Sequence, residues 1–270
     1  MRCIPLGNVM NMIKRRMGAR IHWRSCALAV WIGMAGAQPG RADNLVLPFA
    51  GADGPLSPGW QPMVFDNIPA HTRYGLVQEG DQPVLMAEAD NSASGLIHRL
   101  DVGVDESSIL RWRWKVSGVL RRGDVTQRDG DDYPARIYVT FAFDESRLGW
   151  GERLKLKAAR LIYGDDVPFA AINYIWASRA PVGTLVPNAY TDRVRMIVVD
   201  SGAGKAGQWQ AHARNLYEDF KAAFGFEPTG LTGIAVMTDT DNTGERVTAW
   251  YNALQLENIT LKTSSNREAK

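Results

Sequence analysis

The sequence predicts an all-β fold, an antiparallel β-sandwich or jelly roll with one or two short inserted helices. Three observations carry this. Leu110 to Val116 reads Leu-Arg-Trp-Arg-Trp-Lys-Val, an unbroken alternation of apolar and cationic residues. Arg136 to Phe143 alternates in the same way. Further stretches (72–78, 84–89, 94–100, 171–178, 194–199, 231–238 and 247–256) alternate less strictly and are separated by Gly, Pro, Asp and Asn. Period-2 alternation of β-branched and aromatic residues is the pattern of half-buried antiparallel strands. About nine strands at this spacing suit a sandwich or jelly roll.

Ahead of the first strand stands a segment of another kind. Lys14, Arg15, Arg16, Arg20 and Arg24 form a basic region, and Ser25 to Ala37 is a mostly apolar run. That run is shorter than the roughly 20 residues a bilayer span needs. Small residues follow, at Ala35 and Ala37 or at Gly40 and Ala42. The order is that of a secretory signal peptide. Residues 1–42 are therefore expected to be cleaved, leaving 43–270 as a single β-sandwich domain that is periplasmic or secreted, with no membrane span. The first 42 residues hold seven Lys/Arg and no acid, so the remainder carries 24 basic against 29 acidic residues, a net charge of −5. An acidic domain argues against a nucleic-acid partner, which needs a dense positive footprint. Cys3 and Cys26 both fall in the presequence. The mature chain would then have no disulfide, thiolate nucleophile or cysteine metal site.

Alternation assigns faces. Leu110, Trp112, Trp114 and Val116 point to one side and Arg111, Arg113 and Lys115 to the other. Ile137, Val139 and Phe141 face the core, while Arg136, Tyr138 and Thr140 face away. If these strands are neighbours, Arg113, Arg136 and Tyr138 form a polar patch with a positive centre. The alternative is a solvated outer sheet face. Two segments depart from period 2. Glu152 to Tyr163 spaces Leu154, Ala158, Leu161 and Ile162 as a short helix does. Asn215 to Phe224 gathers Leu216, Phe220, Ala223 and Phe224 on one face, with acids in its first turns and Gly225 after its end.

Two acidic clusters bear on metal chemistry. Asp124, Asp129, Asp131 and Asp132 crowd the loop before Arg136, and Asp239-Thr-Asp-Asn-Thr-Gly-Glu245 links two late strands. Carboxylates with Asn and Thr supply the hard oxygens calcium prefers, so Asp239 and Asp241 are candidate ligands of a structural calcium; no other cofactor is indicated. An EF-hand is excluded, because Trp250 stands where its twelfth-position Glu belongs and strands flank the loop. A turn held by Asx hydrogen bonds is the competing account. His71, His98 and His212 lack metal-ligand spacing, and the chain has no phosphate-binding Gly loop and no Gly-x-Ser-x-Gly elbow.

Taken together, Ser92-Ala-Ser-Gly-Leu96, Leu110 to Val116, Asp131-Asp-Tyr-Pro-Ala-Arg-Ile-Tyr-Val139, Asn173-Tyr-Ile-Trp176, Arg214-Asn215 with Asp219, and Ile234 to Gly244 form an ordered motif set. On these the chain resembles the bacterial domain-of-unknown-function family numbered 3047, from about Phe49 to Leu256. More loosely it is similar to galactose-binding-type jelly rolls of carbohydrate-binding modules. That likeness implies a carbohydrate-like ligand on a sheet face and a structural calcium near Ala249 to Leu254, although Asn252 stands where an Asp is common. The candidate ligand contacts are Arg113, Arg136, Tyr138, Asn173 and Trp176, with Asp132 and Asp239 at the rim. The leading expectation is non-catalytic binding of a carbohydrate-like ligand. Its rivals are a polysaccharide-active enzyme (a lyase or hydrolase) and a structural envelope protein. In a lyase, Arg136 would neutralise a substrate carboxylate and Tyr138 would remove the proton.

Overall fold

The computed structural model describes residues 42–51, 54–142, 146, 149–151, 153 and 170–262. Residues 1–41 of the signal segment expected over 1–42, and nearly all of the helix expected over 152–163, lie outside these. The described strands are β1 (Asp43–Leu47), β2 (Trp60–Met63), β3 (Arg73–Glu79), β4 (Gln82–Asp90), β5 (Ala93–Gly103), β6 (Ile109–Val116), β7 (Arg136–Ala142), β8 (Ala170–Ala177), β9 (Leu185–Pro187), β10 (Val194–Ser201), β11 (Gln210–Asn215), β12 (Gly230–Asp239), β13 (Arg246–Tyr251) and β14 (Leu254–Leu261). The helix α1 (Leu216–Phe224) lies between β11 and β12.

Two sheets result. In the first, β3, β4, β13 and β6 run side by side, and β11 flanks β6 on its other edge. In the second the order is β5, β12, β7, β8, β10 and β9, with β2 beside β5. Strand β14 belongs to both. It pairs β6 through Gln255–Glu257 and β5 through Thr260 and Leu261, and its free side takes β1. This is the β-sandwich that alternation predicts, with one departure. β8 and β10 pair in parallel, so the chain between them must cross over rather than turn back.

The facing of β6 holds. Trp112 and Trp114 are 3% and 0% exposed, and they meet the second sheet. Trp112 lies 5.2 Å from the Tyr174 ring, and Trp114 lies 6.3 Å from Trp176. A buried polar clamp spans the same gap. Asp200 of β10 accepts from the Trp114 indole at 2.8 Å and pairs with His212 of β11 at 2.6 Å. Strand β8 is buried throughout. Its Ile172, Tyr174 and Trp176 enter the main core, while Ile175 and Ala177 join Val125, Tyr133, Met196 and Val198 in a second, smaller cluster. Loops therefore cover part of the second sheet's outer face.

Helix α1 starts where its sequence signals place it. The Asn215 side chain caps it by accepting from the Glu218 amide at 3.0 Å. Gly225 ends it in the left-handed region at φ 79°, with its amide on the Lys221 carbonyl. Phe220 packs on Phe141 at 4.6 Å, and buried Asp219 takes the Tyr174 hydroxyl and the Arg214 guanidinium. No helix among the described residues is long and apolar enough to cross a membrane.

Candidate functional site

A cleft of about 380 Å³ opens at one end of the second sheet's outer face. Register builds its floor. Arg136 stands opposite Met237, and Tyr138 lies opposite both Ala235 and Asn173. Alternation puts Arg136 and Tyr138 on the same face, and β12 runs two residues past Met237 to deliver Asp239 beside Arg136. The loop after β12 contributes Asp241 and Asn242, the loop before β10 contributes Asn188 and Tyr190, and Phe65 and Ile68 close the remaining wall.

The centre is a buried ion pair between the Arg136 guanidinium and Asp239. Arg136 is 4% exposed and sits between two phenol rings, 5.1 Å from Tyr133 and 5.4 Å from Tyr138. Only Nη2 is hydrogen-bonded; Nε and Nη1 are buried without a partner. Asp239 also accepts the Tyr133 amide. Asp131, nearby, accepts from the Tyr133 hydroxyl at 3.0 Å and from the Asn188 amide group at 2.8 and 3.0 Å. Burial pushes Asp239 well above the usual carboxylate range against the pull of Arg136, and Asp132, Asp131 and Asp241 add to the push. Burial and then Asp132 raise Asp241 in the same way. Burial also pushes the Tyr138 hydroxyl up to about 12, so it is a neutral donor near pH 7.

Tyr190 forms the exposed wall. It is 52% exposed, yet its hydroxyl is fixed, donating to the Arg128 carbonyl and accepting from Asn242, each at 3.0 Å. An aromatic face held this way loses little freedom when something stacks on it.

Asp132, Asp239 and Asp241 bring carboxylate oxygens within 4.8 Å of one another. Calcium takes six to eight oxygens, and this trio has few left to give. Both oxygens of Asp132 hold backbone amides, those of Asn242 at 3.2 Å and Thr243 at 2.6 Å. Asp239 is held by Arg136 and Tyr133. With the Arg136 guanidinium on one Asp239 oxygen and backbone amides on both Asp132 oxygens, much of this donor set is already engaged within the protein. The loop after β12 is held by Asp132, a carboxylate of the first acidic cluster 110 residues earlier in sequence, rather than by the local Asx bonds expected.

Of the residues singled out in sequence, Arg136, Tyr138, Asp239 and Asp241 line the cleft, Asp132 anchors its rim loop, and Asn173 is buried beside Tyr138 with its amide nitrogen on the Met196 sulfur. Two are elsewhere. Trp176 is 0% exposed in the main core, with its indole on the Gly202 carbonyl. Arg113 belongs to the other sheet, because the chain between β6 and β7 crosses from one sheet to its partner and the two strands are not neighbours. Nor is the patch positive: Asp131, Asp239 and Asp241 outnumber the single Arg136. Arg136, named as the neutralising cation of a lyase, is paired with Asp239, and burial raises the Tyr138 hydroxyl named as its base. Sequence reasoning missed Asn188 and Tyr190; their one signal was an Asn-Ala-Tyr run between turn residues.

A profile of the family described as "Protein of unknown function (DUF3047)" matches residues 58–255. No curated protein matches the chain. Among solved structures, the carbohydrate recognition domain of Emp47p is similar at 10% identity and a TM-score of 0.40, over 79% of this chain and 94% of that one. The cellulose induced protein Cip1 is similar at 10% identity and 0.37, over 78% and 96%. The family 11 xylanase from Neocallimastix patriciarum stands at 11% and 0.29, over 81% and 97%.

Proposed function

The chain belongs to the DUF3047 family, which assigns no activity, and from that premise we propose that it is an exported, non-catalytic domain that binds a neutral, carbohydrate-like ligand in the Arg136–Tyr190 cleft. One observation carries this: an exposed tyrosine ring, clamped by its own hydroxyl, lines the same cleft as carboxylates, amides and a buried arginine with two unpartnered nitrogens. Sugars present apolar ring faces to aromatics and hydroxyls to such mixed donors and acceptors. The cleft's guanidinium is already paired with Asp239 and so offers an anionic ligand no free cation, which is why a neutral one is named.

A glycan-array screen of the purified protein, followed by titration calorimetry, tests the reading. Neutral glycans are expected to bind, and Tyr190→Ala to weaken them about tenfold, or about 1.4 kcal/mol. Affinity should be equal in chelator and in millimolar calcium. An array without neutral hits, or full affinity in the variant, overturns the proposal. One observation favours a second reading, hydrolysis in the same cleft: burial and Asp132 hold Asp241 in the raised range that suits a general acid. Turnover of a bound neutral oligosaccharide, abolished in Asp241→Asn with binding retained, would replace the non-catalytic reading.

Export rests on the basic, apolar and small-residue order of residues 1–42. Intact-mass analysis of protein from the cell envelope is expected to find an N-terminus between Gln38 and Asn44. A mature species that keeps Arg15 and Arg16 would defeat it.

A further inference from the structure

The outer face of the first sheet carries a second concavity, of about 610 Å³, beside β6. Arg111 and Arg113 project there on the face opposite the buried tryptophans, and Gln82, Asn252 and Gln255 supply neutral amides around them. The carboxylates of the first cleft have no counterpart: the fully charged side chains lining this groove are the two arginines. Arg111 is paired with Glu257 at 2.8 Å. Arg113 is exposed, and among the described residues no carboxylate or hydrogen-bond acceptor engages it; its guanidinium stands 5.3 Å from the Trp209 ring.

Trp209 begins a shelf. Lys115 lies 5.3 Å from the Trp209 ring and 4.6 Å from the Trp250 ring. Glu79 holds the arrangement by pairing with Lys115 and accepting the Trp209 indole N–H at 3.3 Å. Both tryptophans are half-buried. The Trp209 indole, anchored through its N–H, thus stands beside a guanidinium whose fork is free, and Lys115 links it to Trp250. A planar fork matches a carboxylate with two parallel hydrogen bonds, and indole faces stack on sugar rings. With residues 1–42 removed, the chain carries a net charge of −5, so this groove is a local positive focus on a negative surface.

We propose that the Arg113 groove and the Trp209–Trp250 shelf bind an acidic oligosaccharide, with Arg113 holding a sugar carboxylate, independently of whatever occupies the Arg136 cleft. The ligand class follows from the charge of the groove, and it is the opposite of the class the first cleft admits.

The test is titration of the purified protein with short oligomers of galacturonate, glucuronate and mannuronate, each beside its neutral homologue. At least one acidic oligomer is expected to bind ten times or more tighter than its neutral homologue, with affinity falling as salt rises from 50 to 200 mM. Arg113→Gln should remove that preference, and Arg113→Lys, which keeps the charge and loses the fork, should restore part of it. Trp250→Ala should weaken acidic oligomers, while Tyr190→Ala leaves them unchanged. Arg113 is exposed, so its variants are expected to melt as wild type does, and the melt is run alongside. Equal affinity for acidic and neutral oligomers across all three pairs, or an acidic preference that survives Arg113→Gln, overturns the proposal. An acidic preference lost in Tyr190→Ala instead would move it to the first cleft and overturn the neutral assignment made there.

Discussion

Arg136→Met is expected to destabilise the protein by about 3–5 kcal/mol, the usual cost of removing one member of a buried ion pair. The substitution roughly keeps the volume between the Tyr133 and Tyr138 rings but leaves Asp239, 1% exposed, with the Tyr133 amide as its remaining hydrogen-bond donor. The measurement is the urea midpoint of variant and wild type. The pH dependence has a definite sign. Asp239 already titrates above the ordinary carboxylate range in the folded protein, and loss of the guanidinium moves it further up. A carboxyl raised on folding contributes stability below its unfolded pKa of about 3.9 and loses it as pH rises through the folded pKa. The gap between variant and wild type should therefore narrow on acidification from neutral pH. A gap that is constant or widens would show that lost packing, not the stranded carboxylate, sets the cost.

Trp114→Ala should cost a similar amount, about 3–5 kcal/mol for a large buried aromatic. The side chain is completely enclosed, packs against Trp112 at 5.5 Å and Trp176 at 6.3 Å, and donates its indole N–H to buried Asp200. Trp114→Phe separates the two contributions. It fills most of the space but withdraws the donor, and a hydrogen bond to a charged group is worth about 1.5–3 kcal/mol. Burial alone would raise Asp200, yet hydrogen bonds from His212 and Trp114 hold it below its ordinary value. Such a group adds stability above its unfolded pKa and loses it as pH falls through the folded pKa. In both variants the deficit should therefore be larger near neutral pH than in acid. Unchanged thermal unfolding in Trp114→Ala would mean that the facing of β6 has been read inside out.

The facing of β6 was legible because every second residue, from Leu110 to Val116, is buried while those between are exposed or half-buried. Strand β8 offered no such key. Ala-Ala-Ile-Asn-Tyr-Ile-Trp-Ala is buried on both faces, so period 2 could not say whether Trp176 pointed to a ligand or to the core. The convergence of Arg136, Tyr138 and Asp239 was half visible: parity placed the first two together, but the partner of β7 is a strand 94 residues further on, and that pairing leaves no local mark. For the same reason Arg113 was grouped with Arg136 although they stand on different sheets. Strand β11, Gln-Ala-His-Ala-Arg-Asn, was not foreseen because it has no β-branched residue and gains its place by pairing with β6. What looked like one strand from Val247 to Leu256 is two, broken at Asn252 and Ala253, and the break lets the chain leave β13 for β14.

Strand β14 has a consequence in time. It is the last described strand, and it completes both sheets while holding the first, β1. Its pairings with β1, β5 and β6 form only once Leu254–Leu261 has been synthesised, and the one with β1 joins the most distant parts of the described chain. Folds dominated by such separations form slowly.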